Sequence, residues 1–350
     1  MEGFWQNPVG TGPFKFVSWD RGSQVTLEEN PDWWGGNLPE DEGGGGPHVA
    51  KVVIRGISDN TSRVAALTGG ELTAADGITP DDIPTVEEAG GVKITYRPPL
   101  TIGYLAMNTR KEPFGNRQVR QAINMAINMP DIVEAFFGKT GQLATTYMPP
   151  TVSFFDDSIE HYPYDPEGAR QMLQDVGVDG LETELWYMPI PRPYMPDGKG
   201  IAQAMQSDLQ EVGVNTKLVT FEWGTYLDRT GRGDHPMCLL GWSGDNGDPS
   251  TFLNPLLTSA GATETDALNV AFYQSPEVDD LLNTALRTTD QNERGDLYTE
   301  AQQILVDDAP WAPIAYVRPP IGLQDQVQGY HPNPTGGESF NSVRLGGGGA

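Results

Sequence analysis

Two charged residues of opposite sign, each following a short apolar run, are the part of this sequence best suited to chemistry. Arg192 stands in Met188-Pro189-Ile190-Pro191-Arg192-Pro193-Tyr194, after a strand-like run at 181–187. Asp245 stands in Gly241-Trp242-Ser243-Gly244-Asp245-Asn246-Gly247-Asp248-Pro249, after the apolar run Met237-Cys238-Leu239-Leu240. A guanidinium holds a carboxylate in a bidentate pair, and an aspartate accepts hydrogen bonds from an ammonium. Ligands of open α/β sheets bind beyond the carboxyl ends of the strands, so a cation and an anion placed there suit a zwitterion. The competing reading is that the two charges pair with each other or with surface partners. Trp242 and Trp223 offer flat apolar walls, and Gly244 lets backbone approach a ligand without a side chain in the way.

Fixed charges of opposite sign would also measure length, because a dipeptide places its termini roughly 6 to 7 Å apart at about 3.3 to 3.6 Å per residue. Catalytic alternatives fit the residues less well. Asp245 and Asp248 make a poor calcium loop, since Gly247 and Pro249 stand where its second and third ligands belong. A carboxylate-based hydrolase is the enzyme reading to weigh against binding, but Asp248-Pro249 is an ordinary turn signal. Ser243 lies in no Gly-x-Ser-x-Gly frame, and His48, His161, His235 and His331 show no metal-ligand spacing. Gly10-Thr11-Gly12 lacks the Gly-Lys-Ser/Thr of a phosphate loop. The sequence predicts a binding protein with no catalytic residue, no metal and no cofactor.

Composition narrows the partners. With 48 acidic against 22 basic residues the net charge is −26, which repels nucleic acid and anionic membranes. Such a surface stays soluble where salt screens its self-repulsion, which suggests a salt-adapted organism, the competing reading being an ordinary acidic protein. Cys238 is the only cysteine and sits in an apolar run, as a buried core thiol does. No run approaches the roughly 18 apolar residues of a membrane span. Met1-Glu2-Gly3-Phe4-Trp5 lacks the basic start and apolar stretch of a signal peptide.

The elements that must position Arg192 and Asp245 are legible in outline. A strand around Phe14 and Phe16, a turn at Trp19-Asp20-Arg21-Gly22 and a strand at 23–28 open the chain, and a flexible acidic loop follows at 37–47. A strand at 49–55, a helix at 60–68 capped by Asn60 or Thr61, a short helix from Thr79, and strands at 92–96 and 102–108 complete a mixed block. The character then becomes helix-rich. Val119, Ala122, Ile123, Ala126 and Ile127 form one stripe, Pro130 breaks it, and a second helix runs from Asp131 to Phe137. Asp165-Pro166 is an N-cap followed by proline. A strand at 183–187, a helix at 201–212 and a strand at 214–221 make a unit whose strands pair in parallel. A helix from Glu222 and a strand at 237–242 deliver Asp245, and helices at 276–287 and 293–306 lead to strands at 313–317, 327–330 and 340–345. The chain is read as an α/β protein that leaves one lobe (residues 1–105), builds a ligand-binding lobe (106–315) and returns (316–345), with a disordered tail at 346–350.

With these residues in place, the chain resembles the family 5 extracellular solute-binding proteins of ABC importers, and within them the dipeptide-binding type. The matching stretches include Pro8-Val9-Gly10-Thr11-Gly12-Pro13-Phe14, Asn30-Pro31-Asp32-Trp33-Trp34-Gly35, Val119-Arg120-Gln121-Ala122, Tyr164-Asp165-Pro166-Glu167, Phe221-Glu222-Trp223-Gly224, the segments around Arg192 and Asp245, and Pro332-Asn333-Pro334-Thr335-Gly336. They run over nearly the whole chain and are specific only together. The resemblance implies a two-lobed, periplasmic-binding-protein type II-like fold and an extracytoplasmic monomer that presents a small peptide to a membrane permease. It implies that Arg192 holds the peptide carboxylate and Asp245 its ammonium. Nickel, haem or an oligosaccharide are the alternative ligands in such proteins. In the family, a signal peptide and further lobe I and lobe II sequence precede the Gly-Thr-Gly-Pro-Phe stretch. The resemblance therefore implies the C-terminal two thirds of such a protein, truncated at the N-terminus.

Overall fold

The computed structural model describes residue 3 and residues 6–39 and 44–346. The centre of the expected acidic loop, residues 40–43, and residues 347–350 of the expected tail lie outside the described residues, as do four of the first five residues. In chain order, the first strands are β1 (Phe14–Asp20), β2 (Gln24–Glu29) and β3 (Lys51–Arg55), followed by α1 (Asn60–Thr68), β4 (Ala74–Asp76), α2 (Ile83–Glu88) and β5 (Val92–Tyr96). Next come β6 (Thr101–Met107), α3 (Arg117–Ala126), α4 (Met129–Phe137), β7 (Gly141–Leu143) and α5 (Pro166–Asp175). Then follow β8 (Leu181–Trp186), α6 (Gly198–Glu211), β9 (Val214–Val219), α7 (Trp223–Gly231) and β10 (Met237–Ser243). The chain continues through α8 (Leu253–Leu257), α9 (Pro276–Ala285), α10 (Gln291–Asp308), β11 (Trp311–Val317), β12 (Pro320–Gln324), β13 (Val327–Gln328) and β14 (Arg344–Leu345).

These elements fall into two compact units, Met1–Pro98 with Pro319–Ala350, and Pro99–Arg318. The crossing points differ from the boundaries at 105 and 315 expected from sequence. All seven residues of β6 are buried, and β6 lies between β10 and β11, so it belongs wholly to the second unit. β11, buried along its whole length, stays there with it.

In the first unit, β12 lies between β4 and β5 over a small core of Val64, Leu67, Ile78, Ile83 and Val86. Neither β4 nor β12 was expected: one has three residues and the other begins on a proline. A separate antiparallel meander, β1-β2-β3, brings Phe16 opposite Leu27 and Trp19 opposite Val25. Trp19 and Ile54 remain 45% and 49% exposed. Helix α1 is capped by Asp59, which accepts from the Ser62 amide at 2.8 Å, rather than by Asn60 or Thr61. Asn60 turns its side chain to Thr79 and Asp82 instead.

The second unit is a six-stranded sheet in the order β7-β11-β6-β10-β8-β9. β6 runs antiparallel to both neighbours, whereas β10, β8 and β9 are mutually parallel. α6 lies between β8 and β9 in the chain and buries Ile201, Ala202, Met205 and Leu209, the apolar stripe its 3.6-residue period dictates. Pro130 does not interrupt a helix. It sits in the first turn of α4, where proline costs no hydrogen bond, and Asn128 caps that turn.

His235, just before β10, is fully buried between Trp186 and Phe272. Its Nε2–H donates to the Val270 carbonyl at 2.9 Å, and its Nδ1 has no partner among the described residues. Burial pushes the imidazole down from 6.5 to about 4. The folded state thus refuses a proton that the unfolded chain accepts, so this stability is full above pH 6.5 and is lost as pH falls toward 4. Urea unfolding followed from pH 7 to pH 4 should show the wild type losing about 3 kcal/mol more than His235→Gln. Parallel pH profiles would overturn this account.

Candidate ligand-binding site

The site is built where two parallel strands separate. β10 and β8 pair only at Met237 with Leu185 and Cys238 with Trp186. The chain then leaves β10, and the Tyr187 amide donates to Val219 on the β9 side at 2.9 Å. Tyr226 of α7, fully buried, places its hydroxyl in the fork, 2.8 Å from the Leu239 carbonyl and 3.2 Å from that of Trp186. Along a strand, successive residues direct their backbone groups to alternate sides. Leu239 faces the fork, so Gly241 and Ser243 face it too, while the Gly244 amide turns the other way and donates to Leu100 at 2.9 Å. The last residues of β10 therefore hold an open edge of backbone donors and acceptors. β9 lies on one side of β8 and β10 on the other, so this crevice is the switch point of the parallel strands.

The segment after β8 returns to cover the sheet. Gly103 and Gly241 are register partners in β6 and β10, and a Cβ on either would collide with Tyr194. The paired glycines thus form a flat seat for the Tyr194 backbone and ring. Arg192 and Met195 exchange backbone hydrogen bonds at 3.1 and 2.9 Å, which fixes the turn that presents Arg192. The Arg192 guanidinium lies 5.1 Å from the centre of the Trp223 ring. Trp223 opens α7, whose first turn is capped by Glu222. Burial pushes the Tyr194 hydroxyl up, and the adjacent Arg192 guanidinium, hydrogen-bonded to it, draws it partly back.

Of the residues expected from sequence, Arg192 and Trp223 are in contact, and Trp223 and Trp242 line the same cavity, about 570 Å³ in volume. The Trp242 Nε1–H is held by the Thr251 carbonyl at 2.8 Å. Gly244 plays a different part from the expected one: the place its Cβ would take is filled by Phe252, so the glycine admits core packing rather than a ligand. Asp245, two residues past the end of β10, is exposed, and neither it nor Arg192 has an ion-pair partner among the described residues. Asp248 is committed elsewhere. It caps the turn at Pro249–Thr251 and pairs with Arg294 at 2.7 Å. Partial burial works against its ionised form, but hydrogen bonds from Ser250 and Arg294 hold its carboxyl below the usual range. Among the described residues, no group of three or more His, Cys, Asp or Glu side chains is placed to hold a metal.

Three tyrosines escaped the sequence reading of the site. Tyr194 stood beside Arg192 without an assigned role, Tyr226 read as an ordinary residue of a helix, and Tyr104, a cavity residue, read only as part of a strand. The register that puts Tyr104 opposite Leu240 and Gly103 opposite Gly241 reveals the first and last of these, and the hydrogen bonds of its hydroxyl to β8 and β10 reveal Tyr226.

An open strand edge at a switch point, flanked by a cation and an aromatic wall, is the place where ligands bind in α/β folds. Residues 2–264 match the model of the bacterial extracellular solute-binding proteins, family 5 (middle region), and the chain belongs to that family. It is 35% identical over 342 residues to di/tripeptide-binding protein 1 of Pseudomonas aeruginosa, covering 97% of this chain and 62% of that protein. It is 36% identical over 341 residues to heme-binding protein A of Haemophilus influenzae, covering 97% of this chain and 60% of that protein. Among solved structures, an ABC transporter-associated periplasmic binding protein from Helicobacter pylori, in complex with the peptide STSA, is 34% identical with a TM-score of 0.79. That match covers 97% of this chain and 64% of the other. The chain thus has the mixed α/β fold of the periplasmic binding proteins and spans about three fifths of the length of the curated relatives it matches.

The glycine seat is directly testable. Gly103→Ala should destabilise the protein by about 1–3 kcal/mol through overpacking against the Tyr194 carbonyl. Urea unfolding of the variant measures this, and an unchanged midpoint would show that Tyr194 does not rest on the strand.

Proposed function

We propose that this chain is the substrate-binding component of an ABC importer, which binds di- or oligopeptides through their charged termini and passes them to a membrane permease without chemistry of its own. The observation that carries this reading is the pair of charges left without ion-pair partners among the described residues, Arg192 over Trp223 and Asp245 beyond β10, around an open strand edge. In this reading Arg192 takes the peptide carboxylate and Asp245 the ammonium, while Gly241 and Ser243 bond the peptide backbone as an added strand would. Trp223 and Trp242 supply apolar walls. The relatives named for di- and tripeptides and the neighbour solved with STSA support peptide as the ligand class. The family supports an extracytoplasmic setting, and the protein acts as a monomer.

Calorimetric titration in molar salt with Ala-Ala, its N-acetyl form and its C-terminal amide tests the assignment. The free dipeptide should bind best. Arg192→Met should cost the free dipeptide about 2–5 kcal/mol while abolishing its advantage over the amide, and Asp245→Asn should abolish its advantage over the acetyl form. Equal binding of all three forms by the wild type would sink the reading. Haemin, suggested by the relative named for haem, belongs in the same titration; its binding in place of peptide would favour that ligand.

We also read the net charge of −26 as salt adaptation. At 1 M salt the screening length is about 3 Å, so the melting temperature should rise between 0.1 and 2 M NaCl. A melting temperature that is flat or falls with salt would refute this.

A further inference from the structure

Asp245 makes no hydrogen bond of its own among the described residues, so its position is inherited from the residues around it. Upstream, the Gly244 amide is tied to the Leu100 carbonyl, and downstream the Gly247 carbonyl accepts from the Ser153 amide at 2.9 Å. Asp248 completes the downstream anchor. Its amide donates to the Asn246 side-chain oxygen at 2.8 Å. One of its carboxylate oxygens accepts from the Ser250 amide at 3.0 Å and the other from the Arg294 guanidinium at 2.7 Å.

Arg294, in the first turns of α10, is itself held from several sides. Its Nε–H donates to the carbonyl of Ala285, the last residue of α9, at 3.1 Å. Its guanidinium lies 5.3 Å from the centre of the Tyr298 ring and 5.7 Å from that of Phe154, and these two rings stack 5.8 Å apart. Phe154 directly follows Ser153 and has a φ of +59°, a conformation that residues with side chains rarely adopt. A planar fork fixed at Nε and along its faces has little freedom left to lose when it grips a carboxylate. The side chains of Arg294 and Asp248 are 17% and 31% exposed, so salt screens this pair less than a pair on the open surface. The end of α9, α10, the segment at 153–154 and the loop after β10 therefore meet at one guanidinium.

We propose that Arg294 is a positioning residue for recognition of the peptide ammonium: through Asp248, and not by contact with the peptide, it fixes the loop that carries Asp245. The proposal rests on the peptide reading above and adds the residues that set its selectivity for a free amino terminus. The turn capped by Asp248 also contains Thr251, whose carbonyl accepts from Trp242. Loosening that turn acts through the Trp242 wall on free and acetylated peptides alike. The ratio of the two affinities isolates Asp245.

The test is calorimetric titration of Ala-Ala and N-acetyl-Ala-Ala in molar salt with the wild type, Arg294→Met, Asp248→Asn, the double variant and Arg117→Met, each first shown to unfold cooperatively in urea. Asp248→Asn keeps an oxygen for the Ser250 amide and removes only the charge that Arg294 grips, which supplies a folded variant if Arg294→Met unfolds. The wild-type preference for the free peptide should fall about tenfold in either single variant, the worth of one charge-assisted hydrogen bond. It should fall no further in the double variant, because both substitutions remove one tether. Arg117→Met, which breaks the exposed pair with Asp307 at the far end of α10, should leave the preference unchanged. A full wild-type preference in the folded variants, an additive loss in the double variant, or an equal fall in Arg117→Met would overturn the proposal and leave the peptide reading standing. If the wild type bound both forms equally, or neither, the reading of Asp245 would fall and this inference with it.

Discussion

The site depends on the separation of β8 from β10 after two paired residues, with the Tyr226 hydroxyl set between the carbonyls left behind. A sheet that continued to pair would have no free backbone to offer. A sheet that parted without Tyr226 would bury the Leu239 carbonyl unsatisfied, at a cost of about 1–3 kcal/mol. The hydroxyl resolves this conflict from a helix that also begins with Trp223, so the wedge that stabilises the fork and the wall that carries Arg192 are one element. What lies beyond the fork follows from this arrangement. The chain leaving β8 must go over the sheet, and the paired glycines of β6 and β10 are where it can rest.

Two carboxylates three positions apart show how the fold distributes charge around that crevice. Asp248 is held by Arg294 and by the amide of Ser250, and it closes the turn that begins after Asp245. Its charge is therefore spent on structure. Asp245 has no such partner among the described residues and stands at the end of the strand whose edge is open. An exposed carboxylate of this kind contributes little to any charge pair while it faces water and more once that water is displaced, because Coulomb energies scale inversely with the effective dielectric. Arg192 differs in that its guanidinium already lies over an aromatic face, which limits its rotamers before any anion arrives.

The parts of this arrangement that were legible in the sequence are those carried by local pattern. Runs of apolar residues ending in Gly, Pro and Asp marked the ends of β8 and β10, and so located Arg192 and Asp245 relative to the sheet. The parallel pairing of β8 with β9 followed from the helix between them. What was not legible depends on register between distant segments. Gly103 and Gly241 are each unremarkable in sequence, and their common purpose exists only because they are opposite each other. Gly244 was read as freedom for a ligand, but its neighbour in space is Phe252, a contact that no spacing announces. The limits of the two units were misplaced for a related reason: β6 is equally apolar on both faces, so nothing local says which unit it joins.

The charge of the whole molecule bears on which ligand such a site can take. With a net charge of −26, an anion approaching within about a Debye length of the surface is opposed, and a cation is held non-specifically wherever acids cluster. A zwitterion is indifferent to that field at long range and distinguishes the site from the rest of the surface only at contact. On the proposed reading, high salt would favour binding in two ways. It relieves the self-repulsion of the fold, and it weakens non-specific attraction more than it weakens a short-range bidentate pair partly removed from solvent. An arginine over Trp223 without an ion-pair partner among the described residues, in a protein with 22 basic against 48 acidic residues, therefore faces fewer competing cations for a carboxylate than it would in a neutral one.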